Sequence, residues 1–209
     1  HPGKLWVQKS NDHRGIVAKQ ASDVELHLED TFVQEFVEDP LLVDGYKFDI
    51  GVYVVMTSIS PLRVYIYEGD ALLRFCSKPY DKLSKDLDSY VVGDNYLPTW
   101  ELPSLKRFYN VHMLSMKESL NLHLRDRGLN PDKIWRQINE AVTSVYFEKV
   151  RDIEKVSRKF YGTEPFFEMV RFDFLVDSQL NVHLLEANMS PNLSSAHFKQ
   201  NARLYEKVI

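Results

Sequence analysis

The sequence predicts an α+β fold of antiparallel sheets and helices. Three observations lead there: strand-like runs crowd the stretch from Leu5 to Phe75, two segments of helical spacing occupy the middle, and a strand–turn–strand pair returns near the end. The 209 residues, 44% of them hydrophobic and 12% aromatic, suffice for one sizeable core or for two small lobes sharing a cleft.

Leu5-Trp6-Val7-Gln8-Lys9 reads as a strand, the turn Ser10–Gly15 follows, and Ile16-Val17-Ala18 closes a hairpin. Residues 22–30 are expected to form a short helix with Ser22 as N-cap. Thr31–Val37 is β-rich and ends at Glu38-Asp39-Pro40. Phe48–Met56, Arg63–Tyr67 and Ala71–Phe75 predict an antiparallel meander, with Glu68-Gly69-Asp70 as the tight turn between the last two. The stretch from Ser77 to Pro103 has no period and is read as a long loop, the kind that is usually functional or disordered. A helix is expected over Val111–Leu124, stopping near Gly128. A second opens at Asn130 (N-cap) and Pro131 (first helical position), and Ile134, Ile138, Ala141, Val142 and Val145 form its apolar face. Phe166–Val176 and Leu180–Leu185 are the closing strands, joined by Asp177-Ser178-Gln179 and followed by a loop over Asn188–Ser195 and a terminal helix.

The formal net charge of −4, from 26 basic and 30 acidic side chains, argues against a general nucleic-acid binder. No apolar run approaches the ~20 residues that cross a bilayer, so no membrane contact is expected from this segment. Cys76 is the single cysteine, which rules out an internal disulfide and a Cys-rich zinc site and fits a reducing compartment. The opening His1-Pro2-Gly3-Lys4 has neither an initiator Met nor a signal peptide, as expected of a piece cut from a longer protein. The histidines show no metal-ligand spacing, and no Ser-His-Asp or Cys-His arrangement stands out.

The last strand pair carries the strongest chemical signal. Asp173 interrupts the apolar run Phe172, Phe174, Leu175, Val176, and a turn at 177–179 brings it near residues 183–186. Glu186 and Asn188, two apart, share one face of an extended segment. Two carboxylates and an amide oxygen make a hard, oxygen-only set suited to Mg²⁺. Lys9 ends a strand before a turn containing Arg14-Gly15; lysine reaches a phosphate there and glycine admits backbone N–H groups, although the P-loop pattern is absent. Lys47 and Asp49 alternate about Phe48 and so face the same way. Arg74, at a strand end, is suited to a bidentate grip on a carboxylate. Each of these, alone, is equally well an ordinary surface side chain.

Taken in order, Trp6-Val7-Gln8-Lys9…Arg14-Gly15-Ile16, Val33–Val37, Pro40-Leu41-Leu42…Lys47-Phe48-Asp49-Ile50, Leu73-Arg74, Pro79-Tyr80, Phe172-Asp173-Phe174 and Leu185-Glu186-Ala187-Asn188 resemble the tubulin tyrosine ligase-like family. The resemblance covers most of the chain and implies an ATP-grasp fold, present here as one partial domain over 1–209 with sub-lobes at 1–45 and 46–209 and without the family's N-terminal lobe. It implies ATP and Mg²⁺ as cofactors. Lys9, Arg14, Gly15, Lys47, Phe48 and Asp49 would serve the phosphates and ribose, and Gln34, Glu35, Phe36 and Val37 would line the adenine pocket. Asp173, Glu186 and Asn188 would hold the metal, and Arg74 the amino-acid carboxylate.

The activity implied is that of a divergent glutamylase-type ligase. It would add an amino acid, glutamate on this resemblance, to a glutamate carboxylate on tubulin C-terminal tails through an acylphosphate. The place implied is the cytoplasm, on the microtubule cytoskeleton or in the cilium. Three departures bear on activity. The family usually has Arg where Gly51 follows Lys-Phe-Asp-Ile; its His-Leu-Thr-Asn segment is replaced by Val91–Tyr96, matched only at Asn95; and Glu35 stands where a basic or polar residue is usual. A pseudo-ligase binding tubulin or nucleotide without turnover, an ATP-grasp ligase for a small molecule and a purely structural module are the alternatives.

Overall fold

In the computed structural model, which describes residues 4–10, 16–160 and 167–209, the chain divides into two units at Pro40. The first is a three-stranded antiparallel sheet in which β1 (Leu5–Ser10) lies between β2 (Val17–Gln20) and β3 (Thr31–Glu35). Gln8 is buried at its centre. It donates to the Glu25 carbonyl at 2.8 Å and accepts from the Lys19 ammonium at 3.1 Å, which fastens the connection between β2 and β3. That connection is not the expected helix. Only Ala21–Asp23 form a 3-10 turn, without a side-chain cap. Val24, Leu26 and Leu28 alternate with polar residues instead of recurring at helical spacing, and Leu26 is 85% exposed, so no apolar stripe exists to dock a helix.

The second unit holds a seven-stranded antiparallel sheet. β4 (Leu42–Val43) pairs with the start of β5 (Tyr46–Ile59), and the Leu41 amide donates to the Val176 carbonyl at 2.8 Å, which ties residues 41–45 to this unit. β6 (Leu62–Ile66) and β7 (Leu72–Phe75) both pair antiparallel with β5, at residues 54–59 and 48–51. The expected meander is therefore corrected to a hairpin with an interrupted return strand. Glu68-Gly69-Asp70 breaks that strand without reversing it, and the Tyr67 amide still donates to the Tyr53 carbonyl at 2.9 Å. β8 (Leu97–Pro98), a short piece within the long loop, borders β7.

Helices follow. The segment α1 (Pro103–Lys106) runs into a π-helical turn over Arg107–Val111. The expected helix at 111–124 begins instead at Met116, as α2 (Met116–Asp126). Ser115 and Glu118 form a reciprocal capping box there, and Met113 takes a positive φ of 56° that ends the preceding turn. In α3 (Asp132–Ser157) the expected face is buried through Ile134, Ile138 and Val142, and Asn130 accepts from the Asp132 amide at 3.0 Å, as an N-cap does. Charged residues recur along α3, and among the described residues no helix is long and apolar enough to cross a membrane.

β9 (Glu168–Val176) and β10 (Val182–Met189) complete the sheet in the order β10-β9-β5-β7-β8. Their turn is held by Asp177, which accepts from the amides of Gln179 and Asn181 at 2.9 and 2.8 Å. Alternation sorts the two faces of the sheet. Phe48, Ile50, Val52, Phe172 and Phe174 belong to the main hydrophobic core with Leu120, Leu124 and the apolar face of α3. The opposite face carries the polar residues of β5, β7, β9 and β10. Near it α4 (Ala202–Val208) places Tyr205 edge-on to Tyr53, with ring centres 6.2 Å apart.

Candidate active site

Register builds the site. In the row Leu72, Gly51, Asp173, Glu186 each residue is directly opposite the next on four adjacent strands. The rows on either side hold Arg74 against Asp49, and Tyr53 against Arg171 and Asn188. Glu186 reaches this row through a bulge. Val182, His183 and Leu184 pair with 176, 175 and 174, then the register shifts and Glu186, not Leu185, stands opposite Asp173. A regular ladder would have put Leu185 there and turned Glu186 and Asn188 to the core face. The closing strand continues through Met189, so Asn188 belongs to the strand and not to the expected loop.

Asp173 is 1% exposed and is surrounded by N–H donors. Arg171 grips it bidentately, Nε to Oδ1 at 2.7 Å and Nη2 to Oδ2 at 2.8 Å; Oδ2 also accepts from Arg74 Nη2 at 3.0 Å and Asn188 Nδ2 at 2.9 Å. The same Asn188 nitrogen donates to Glu186 Oε1 at 2.9 Å. Arg74 forks onto Asp49, Nε to Oδ1 at 2.9 Å and Nη2 to Oδ2 at 2.8 Å. Burial pushes the Asp49 carboxyl up to about 6, with Arg74 opposing the shift and the neighbouring Asp173 charge adding to it. Three carboxylates thus face two guanidiniums, leaving a formal negative charge in a largely buried place.

Asp173, Glu186 and Asn188 do converge. One amide nitrogen sits 2.9 Å from an oxygen of each carboxylate and points its partially positive hydrogens where a cation would be attracted. Turning the Asn188 amide about its Cβ–Cγ bond presents its oxygen instead and completes a set of hard donors, so these residues fit a divalent cation such as Mg²⁺. Among the described residues no three His, Cys, Asp or Glu side chains are arranged as a metal site; the third member of this cluster is an amide.

The other sequence-derived candidates divide. Phe48 is corrected: it is 1% exposed, lies on the core face and packs on Phe75 with ring centres 5.0 Å apart, so its side chain is turned away from the cluster. Lys47, on the same face as Asp49, donates to the Tyr90 carbonyl at 2.7 Å. The fork of Arg74, expected to await a substrate carboxylate, is engaged by Asp49 and Asp173, because Asp49 stands opposite it on β5 and Asp173 projects on the same face from β9, the strand beyond. A substrate carboxylate would have to compete with Asp49 for it. Asn95 is exposed in a turn before Tyr96, whose hydroxyl accepts from Asn201 at 2.7 Å.

Lys9 and Gln34 lie on one face of the first unit's sheet, with the Lys9 ammonium 5.8 Å from the Phe32 ring centre. Glu35 projects from the other face and pairs with Lys4. Phe36 is buried, Val37 is half-buried, and the Phe36 amide donates to the Leu5 carbonyl at 3.0 Å. Arg14 and Gly15 lie outside the described residues. Arg171 was missed by sequence reasoning, although it stands two residues before Asp173 and the period of a strand puts both on one face. Cys76 is buried beside the site, and burial pushes its thiol up to about 12.

The Tubulin-tyrosine ligase family matches the chain over residues 1–209. A probable tubulin polyglutamylase of Caenorhabditis elegans is 48% identical over 210 aligned residues, covering 100% of this chain and 41% of that protein. A human tubulin polyglutamylase is 29% identical over 78% of this chain and 21% of its own length, and a mouse tubulin monoglutamylase 30% identical over 78% and 14%. The chain thus spans well under half the length of these relatives. Its match from end to end, with sheets and helices in the α+β order described, makes it a member of the tubulin-tyrosine ligase family.

Proposed function

We propose that this chain is the nucleotide- and metal-binding part of a ligase that adds glutamate to a glutamate carboxylate of tubulin, using ATP and Mg²⁺. The observation that carries the reading is the bulge after Leu184, which sets Glu186 and Asn188 on the face of Asp173 and gathers two carboxylates and an amide in a largely buried, net acidic place. The names of the relatives, tubulin polyglutamylases and monoglutamylases, support the acceptor and the added amino acid. On this reading the protein works in the cytoplasm, on microtubules or in the cilium, with tubulin tails and free glutamate as partners.

Asp173, Glu186 and Asn188 would hold Mg²⁺, which when bound neutralises phosphate charge and draws electron density from the γ-phosphorus. Lys47, on the face of Asp49, would add positive charge toward the phosphates. The acceptor carboxylate oxygen bonds to the γ-phosphorus as the bond to ADP breaks. The glutamate amine then bonds to the acyl carbon, phosphate leaves, and the nitrogen gives up a proton. Positioning and charge neutralisation carry most of such a reaction, so no nucleophile of the chain is required. Arg74 and Arg171 hold the Asp173 and Asp49 side chains in place by their hydrogen bonds.

Magnesium-dependent ATP binding by the full-length protein, measured by calorimetry, tests the site. Binding is expected with the wild type and lost in Glu186→Gln; binding that needs no magnesium and survives this substitution overturns it. A pseudo-ligase is the second reading, favoured by the two guanidiniums already on Asp173 and by the divergent Val91–Tyr96 segment. It predicts intact MgATP binding without glutamate transfer to tubulin.

A further inference from the structure

Gly51 stands directly opposite Asp173 on β5, in the middle of the sheet. A Cβ at that position would lie 2.9 Å from Arg171 Cδ, 3.2 Å from Asp173 Oδ1 and 3.3 Å from Leu72 Cβ. The space is therefore already filled, chiefly by the stem of Arg171 crossing from the next strand. Gly51 has no positive φ to account for it, so close approach is the physical demand for glycine here. Beyond the crossing, the Arg171 guanidinium lies bidentate on Asp173, with its side chain 12% exposed and that of Asp173 1% exposed.

We propose that Gly51 and Arg171 form a matched pair in which the glycine admits the arginine stem, so that β9 delivers to the nucleotide site the guanidinium that an arginine at position 51 would deliver from β5. Arg171 is on this view a positioning residue: it fixes the plane of the Asp173 carboxylate and places a cation beside the anionic phosphates. The proposal rests on the nucleotide reading above and explains why an unusual Gly51 need not empty the site of its charge. Two positions on adjacent strands, diagonal in register and facing the same way, can exchange one long side chain because only one stem fits between them.

The test is a swap in the full-length protein. MgATP affinity is measured for the wild type, Arg171→Gly, Gly51→Arg and the double variant. Each single change is expected to weaken binding by about tenfold or more, as loss of a supporting partner does at metal sites. Arg171→Gly removes the fork, and Gly51→Arg forces two stems into one space. The double variant restores one stem and one guanidinium and is expected to recover most of the affinity. A double variant no better than the worse single overturns the pair.

Thermal unfolding supplies an arm independent of nucleotide. Gly51→Ala is expected to lower the Tm in the wild type and to lower it clearly less in an Arg171→Ala background, where the crowding stem is gone. Equal losses in both backgrounds overturn the pairing. If the wild type binds no MgATP, the nucleotide reading fails, and with it the phosphate role; the unfolding arm then decides the glycine–arginine pairing separately.

Discussion

Removing the Asp173 carboxylate should cost more than removing any surface acid of the chain. Four N–H groups from Arg171, Arg74 and Asn188 converge on it at 2.7–3.0 Å, and it is 1% exposed. Asp173→Ala takes the acceptor from the Arg171 fork while that side chain stays largely buried, leaving a cation without its counter-charge. Breaking a buried pair from one side typically costs about 3–5 kcal/mol, which for a chain of this size is a Tm loss of roughly 6–20 °C. The assay is urea unfolding followed by tryptophan fluorescence, with Arg136→Ala as control. That arginine meets Glu140 at 3.9 Å with side chains 71% and 67% exposed, and losing such a pair costs under about 0.5 kcal/mol. An Asp173→Ala variant destabilised no more than the control would mean that water already solvates the guanidiniums, and the buried acidic cluster would be wrong.

Four further outcomes follow from named contacts. Asp49 has a folded pKa raised to about 6 from an ordinary 3.8, so the folded state holds a proton that the unfolded chain releases; this contribution is full below about pH 4 and lost as pH rises to about 6. Asp49→Asn should flatten that fall in a pH series of unfolding curves. Deleting Leu185 should regularise β10 while keeping Glu186 opposite Asp173 and preserving MgATP binding, whereas deleting Ala187 should turn Asn188 away and abolish it. Ser115→Ala removes the hydroxyl that caps α2 at the Glu118 amide and should cost about 1 kcal/mol in the same unfolding assay. Cys76, buried and with its thiol pushed up to about 12, should resist a disulfide reagent in the native protein and react on unfolding.

Much of this is legible in the residues, and each failure has its own physical cause. Strands declared themselves by β-rich runs, and α3 by apolar positions at 134, 138 and 142 that all prove buried. The helix expected at 22–30 does not form because Val24, Leu26 and Leu28 alternate with period two and no side chain caps the turn. The meander failed because Glu68-Gly69-Asp70 looks like a reversing turn, and only pairing with β5 reveals that the chain continues in one direction. The second error concerns a long-range partner that local sequence does not specify, whereas the first is a local pattern. The convergence of Asp173, Glu186 and Asn188 is readable from two acids and an amide set in apolar strands, although the bulge that aligns them is not. Arg74 was found but its partners were not, since Asp49 and Asp173 lie 25 and 99 residues away. Phe48 was counted with its neighbours in a motif; alternation alone would have sent it to the core.

Transfer of labelled glutamate from solution to purified tubulin tests the central claim most directly. With the full-length protein, ATP and Mg²⁺, mass spectrometry of the tubulin tails should show added glutamyl residues. The additions should disappear without magnesium and in the Glu186→Gln variant. Tubulin that remains unmodified by a wild-type protein shown to bind MgATP would contradict the ligase.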